Sequence, residues 1–160
     1  QIRSLTELFR KAKALGINTC LDTSAQPFSR ETTNFSAFEE LMNYTDLILL
    51  DIKHIDSNAH KQLTGWKNEN ILDCARYLSD IKKPVWIRHV LVPGINDDDD
   101  SLDKLRKFLD SLGNIERVEV LPYHDLGVYK WEQLGLPYTL SEVKPPTEEN
   151  ILHARKILTE

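Results

Sequence analysis

Six side chains in four short segments are of types that do chemistry: Asp22 and Thr23, Asp51 and Lys53, Arg88, and His124. Carboxylates hold cations and accept hydrogen bonds, lysine and arginine bind anions, and histidine exchanges protons near neutral pH. In Asp51-Ile52-Lys53 the charged residues are two apart, and the period of an extended chain puts both on one strand face. Each also has a plainer role. Asp22 can cap the turn that follows it, Asp51 and Lys53 can be a structural ion pair, and His124 can be a histidine satisfied by hydrogen bonds. Arg88 lies between Ile87 and His89 in an apolar run, where a guanidinium requires an anion or a carboxylate.

The elements that must position these residues follow from hydrophobic patterning. Short apolar runs predict strands over Ile17–Leu21, Leu47–Ile52, Val85–Val92 and Val118–Pro122. Amphipathic stretches predict helices over Phe35–Tyr44, Ser57–Leu63, Ile71–Ile81 and Ser101–Leu112. Ile2, Leu5, Leu8, Phe9, Ala12 and Leu15 mark an opening helix that Gly16 closes. Strands buried on both faces and joined by helices imply a parallel α/β sheet, either doubly wound or part of a barrel. Ligands gather at the carboxyl ends of such strands, and all four polar segments lie there.

The chain has 160 residues, 20 of them basic and 25 acidic, a formal charge of −5. It is expected to form one domain over 1–160, short of the roughly 250 residues of a complete eight-stranded barrel. The acidic balance argues against nucleic acid, which needs a basic face. No apolar run is long enough for a membrane, and no leader is legible, so a cytoplasmic protein is expected. Gln1 with a helix beginning at once suggests a sequence cut from something longer. Cys20 and Cys74 carry no metal-binding spacing and are expected to be buried thiols. The run Asp97–Asp100 is expected to start a helix, since it lacks the alternating ligands of a calcium loop. His54, His60, His89 and His153 receive no role, and Trp66, Trp86 and Trp131 are expected to pack.

Several segments taken together carry a resemblance. Leu21-Asp-Thr23, Asp46-Leu-Ile-Leu-Leu-Asp-Ile-Lys53, Val85-Trp-Ile-Arg-His-Val-Leu-Val-Pro-Gly94, Leu121-Pro-Tyr-His-Asp-Leu-Gly127, Lys130-Trp131 and Val143-Lys-Pro-Pro146 resemble the carboxyl-terminal part of the pyruvate formate-lyase activating enzymes. These are radical S-adenosylmethionine (SAM) glycyl-radical activases. The resemblance runs along essentially the whole chain.

It implies a partial TIM-like (β/α) barrel with four parallel strands alternating with helices. It also implies a [4Fe-4S] cluster that cleaves SAM to a 5′-deoxyadenosyl radical, which abstracts hydrogen from a glycine loop of pyruvate formate-lyase. Reduced flavodoxin or ferredoxin would supply the electron. Asp51, Lys53, Arg88 and His124 would line the SAM pocket. Asp22, Thr23, Asp51 and the backbone of Leu49 would hold a monovalent cation. The family's three-cysteine cluster motif is absent from these residues, so the chain alone is expected to ligate no cluster and to be inactive. Ser24-Ala25 stands where the family usually has Asn-Gly, which puts the turn in question because alanine resists positive φ. Loss of a neighbour beside the first strand would expose an edge and favour self-association. Rival readings are an activase of another glycyl-radical enzyme, a Schiff-base aldolase using Lys53, and a noncatalytic nucleoside-binding module.

Overall fold

Four parallel strands in the order β1-β2-β3-β4 form one sheet in a computed structural model that describes residues 1–159. The elements are α1 (Ile2–Ala14), β1 (Cys20–Thr23), α2 (Phe35–Asn43), β2 (Leu47–Asp51), α3 (Ser57–Thr64), α4 (Glu69–Asp80) and β3 (Val85–Leu91). They continue as α5 (Asp99–Asp110), β4 (Ile115–Pro122), α6 (Val128–Gln133) and α7 (Glu148–Thr159). Spatial order follows chain order, as each helical connection moves one strand along. This is the α/β architecture of a partial barrel, with four parallel strands alternating with helices.

Burial is one-sided. Ile48 and Leu50 of β2, and Val85, Ile87, His89 and Leu91 of β3, are buried against a layer that includes Leu41, Met42, Ile71, Cys74, Leu78, Leu102 and Leu105. The alternate residues Leu49, Asp51, Trp86, Arg88 and Val90 are only half-buried. The expectation of strands buried on both faces therefore holds for one face. The other is a partly open side on which charged groups can remain solvated.

β2 and β3 each end one residue before the expected limit, and two strands start elsewhere than the sequence reading placed them. The first begins at Cys20 rather than Ile17 because pairing starts where Leu47 meets Cys20, and Thr19 is used otherwise. The Thr19 hydroxyl donates to Tyr44 O at 2.5 Å, and its amide donates to Asp46 at 2.8 Å. The last begins at Ile115, where it meets Val85, and an irregularity between Val85 and Trp86 leaves Glu116 as the extra residue before Arg117.

Cys20 is exposed on the edge strand, contrary to expectation, while Cys74 is buried and its thiol pushed up to about 12 by burial. Trp66 also departs from the packing role, at 63% exposed, and Trp131 is exposed too. Trp86 does pack, beneath the Arg117 guanidinium at 4.9 Å. The aspartate run behaves as a helix start: Asp98 accepts from Ser101 N at 2.9 Å, and Asp99 and Asp100 occupy the first turn of α5. Ala25 adopts φ +52°, so the turn after Asp22-Thr23 is made by a left-handed alanine. No helix among the described residues is long and apolar enough to cross a membrane.

Candidate functional site

Parallel register sets the carboxyl-terminal rim. Asp51 pairs with Arg88 and Arg88 with Glu119, which brings charged residues from three strands to one level of the open face, and Asp22 of β1 lies one step below, level with Leu49. Arg88 Nη1 donates to Asp22 Oδ2 at 2.6 Å, and its Nε lies 3.9 Å from Asp51 Oδ1. Lys53 Nζ donates to Asp51 Oδ2 at 2.9 Å. Asp51 is the hub of this cluster, and its side chain is 18% exposed against 59% for Asp22. Burial opposes the charge on Arg88. The hydrogen bond to Asp22, and then the charges of Asp22, Asp51 and Glu119, nevertheless hold its pKa above the ordinary arginine value.

These pairs are too wet to be explained by stability, since exposed and partly exposed ion pairs contribute about 0–1 kcal/mol. One acceptor in the cluster is unspent. Asp51 Oδ1 is shielded from solvent and accepts no hydrogen bond. A buried carboxylate oxygen without a donor is unfavourable by about 1–3 kcal/mol or more, and a ligand hydroxyl, ammonium or cation would satisfy it. The charged groups of the rim therefore suit a ligand that carries both an anionic group and hydroxyl or cationic groups.

The remaining expected residues are placed differently. Thr23 alternates with Asp22 and faces the helix layer, where its hydroxyl accepts from Ala25 N at 2.9 Å; only its carbonyl could serve a cation on the open side. Leu49 lies on the same face of β2 as Asp51. His124 follows β4 at the same end of the sheet, exposed and bonded to no side chain among the described residues. Beside it Tyr123 is buried, and its hydroxyl meets that of Tyr138 at 2.7 Å. Burial first, then this bond, pushes its pKa up to about 12 and keeps it neutral.

Sequence reasoning passed over Glu119 and Arg117, which the period of two places on the same face of β4 as Leu121. It also gave no role to His89, and none to Asn68 or Asn96, all of them buried. A cluster does not fit this chain by itself. The sequence has two cysteines, one on β1 and one in α4, and no group of three or more metal-binding side chains occurs among the described residues.

Residues 2–105 match the model of the radical SAM superfamily. The chain is 54% identical over 154 residues to the pyruvate formate-lyase-activating enzyme of Staphylococcus epidermidis, covering 96% of this chain and 61% of that protein. It is 51% identical over 158 residues to the enzyme of that name from Streptococcus mutans, covering 99% and 60%. The chain thus spans about three fifths of the length of these curated relatives. Among solved structures, a domain of pyruvate-formate lyase-activating enzyme from Bacteroides vulgatus superposes with a TM-score of 0.79 at 26% identity. That match covers 99% of this chain and 85% of that domain.

Proposed function

The chain belongs to the radical SAM superfamily, and from that premise we propose that its rim is the SAM-holding side of a pyruvate formate-lyase activating enzyme. The observation that carries this reading is Asp51, a half-buried carboxylate with one oxygen on Lys53 and the other unspent, at the centre of a charged rim. The long, high-identity matches to proteins of that name support the substrate.

Lys53 holds the carboxylate or hydroxyls of SAM, Asp51 accepts from a ribose hydroxyl or the ammonium, and Arg88 is the anion partner in the same pocket. His124 contacts the adenosine portion. Asp22 and Asp51, with the backbone oxygens of Thr23 and Leu49, hold a monovalent cation, and an all-oxygen donor set suits such a hard ion. Arg88 now bonds Asp22, so cation binding requires the guanidinium to give up that partner. When bound, SAM supplies the hydrogen-abstracting chemistry. The residues of this chain orient it and exclude water, which places the acceptor glycine at reacting distance.

The protein substrate is pyruvate formate-lyase, entering by a glycine loop, with reduced flavodoxin or ferredoxin as electron donor, in the cytoplasm. The chain by itself is inactive, because two cysteines on separate elements cannot ligate a [4Fe-4S] cluster. Anaerobic reconstitution with iron and sulfide, followed by absorbance, tests this, and a stoichiometric cluster on these 160 residues would contradict it. The Schiff-base reading draws no support from Lys53, whose amine is engaged by Asp51.

Calorimetric titration with SAM tests the site. Lys53→Met and Asp51→Asn should each weaken binding by about ten- to a hundredfold, the worth of a charge-assisted hydrogen bond of roughly 1.5–3 kcal/mol. Unchanged affinity in both would remove the reading.

A further inference from the structure

The segment that follows β2 carries Lys53, and its backbone is held in an unusual way. Four consecutive carbonyls, from Ile52 to Ile55, each accept a hydrogen bond from a side chain that comes from elsewhere in the fold. His89 Nδ1 on β3 donates to Ile52 O at 2.8 Å. Asn96 Nδ2, in the loop after β3, donates to Lys53 O at 2.8 Å. Asn68 Nδ2, at the start of α4, donates to both His54 O and Ile55 O at 2.8 Å. The three donor residues are almost wholly buried, with 2%, 1% and 1% exposed.

None of this is needed to form a helix or a strand. Asn68 sits at the N-cap of α4, yet its side chain makes no cap bond and is given to the loop instead. Asn96 is used completely: its oxygen accepts from Val92 N at 2.7 Å, and its nitrogen also reaches Val90 O at 2.8 Å. His54 closes the assembly from the other side. Its Nδ1 accepts from Asp56 N at 3.0 Å, so Nε2 carries the proton and donates to Ile95 O at 3.1 Å. His89 has the opposite tautomer, Nδ1–H, and its Nε2 has no partner. A loop tied at each carbonyl has lost its conformational freedom before any ligand arrives, and this keeps a flexible lysine's base in one place.

We infer that His89, Asn96 and Asn68, none of which faces the rim, are positioning residues that fix the backbone under Lys53 and so set the affinity of the rim for its ligand. The inference rests on the reading of Lys53 as a SAM contact.

The experiment is SAM titration of the 160-residue chain together with amide hydrogen exchange across residues 52–56. Asn96→Asp keeps the acceptor for Val92 but turns an oxygen toward Lys53 O. His89→Leu removes the Nδ1 donor, and His89→Asn restores a donor at the Nδ1 position. Leu102→Ala, in buried α5, is the control for general destabilisation.

Asn96→Asp and His89→Leu should weaken SAM binding about tenfold and speed exchange in 52–56, and His89→Asn should recover both. Leu102→Ala should lower the melting temperature and leave affinity unchanged. If Asn96→Asp does not fold, the His89 pair decides. Unaltered affinity in the folded variants, or an equal loss in Leu102→Ala, overturns the inference. If the unaltered chain binds no SAM, the ligand reading fails by itself, and unchanged exchange in the variants would then overturn the positioning role as well.

Discussion

Among the described residues two other than glycine take positive φ, Ala25 at +52° and Lys82 at +54°, and they should answer differently to the same substitution. Lys82 follows Ile81, the C-cap of α4, in the left-handed position that closes a helix, and its side chain is exposed. Replacing it by glycine relieves about 1–2 kcal/mol of backbone strain against about 0.4–1 kcal/mol of added unfolded-state entropy. Lys82→Gly should therefore stabilise by about 0.5–1 kcal/mol, read as a higher urea midpoint. Ala25 is 5% exposed, so Ala25→Gly also forfeits a buried methyl worth about 0.8 kcal/mol and should be close to neutral. A large gain at Ala25 would show that the strain there outweighs its burial.

At the same scale, the Asp51–Lys53 pairing was legible because period two is a local rule, and the need of Arg88 for a carboxylate followed from its apolar neighbours. The buried donors Asn68 and Asn96 were not legible. Asparagine in a loop looks like turn chemistry until the fold shows whose carbonyl it meets, 14 and 43 residues away.

Among the elements, β3 couples packing to pH through His89. Burial drives its pKa below the ordinary 6.5, and the nearby charge of Lys53 acts in the same sense, while the hydrogen bond to Ile52 and the nearby backbone of Asn96 oppose it. Below about pH 6.5 the unfolded chain takes up a proton that the folded chain refuses. Stability present above that pH is therefore lost as pH falls through it, by at most about 1.4 kcal/mol per pH unit. Urea midpoints between pH 5 and 8 should show this slope, and His89→Asn should flatten it. Parallel slopes in the two proteins would place the acid sensitivity elsewhere. A second element-level expectation concerns α5, where Asp98→Ala removes the cap on Ser101 N and should cost about 1 kcal/mol.

Helix starts such as this one were readable because a cap is a local device. Strand ends were not, because β1 and β4 begin where a neighbouring strand offers a partner, and that register is absent from local patterning.

For the whole molecule, alternation of apolar runs and amphipathic stretches was enough to read four parallel strands joined by helices, but a doubly wound sheet and a barrel segment share that pattern, and the order β1-β2-β3-β4 came only with the fold. Nor did the alternation reveal that one face stays open, since half-buried Leu49, Trp86 and Val90 are as apolar as the buried row. The edges of this sheet have a further consequence. Among the described residues β1 pairs only with β2, and a groove of about 690 Å³ lined by Ile2, Leu5, Leu21, Phe28, Phe35 and Phe38 runs between α1, β1 and α2. Leu8, Leu15 and Ile17 are exposed on the same α1–β1 segment.

Apolar surface next to unpaired strand groups favours association, whereas the shortness of β1 and the charge of Asp22 resist extension into a longer sheet. The balance predicts a reversible dimer rather than open-ended aggregation. Light scattering across a hundredfold concentration range should show it, with reductant present because Cys20 is exposed on that edge. Ile17→Lys and Leu8→Glu should each shift the equilibrium toward monomer. A clean monomer at the highest concentration would mean that the groove is shallow enough to stay wet at no cost, and that the edge is too short to recruit a partner.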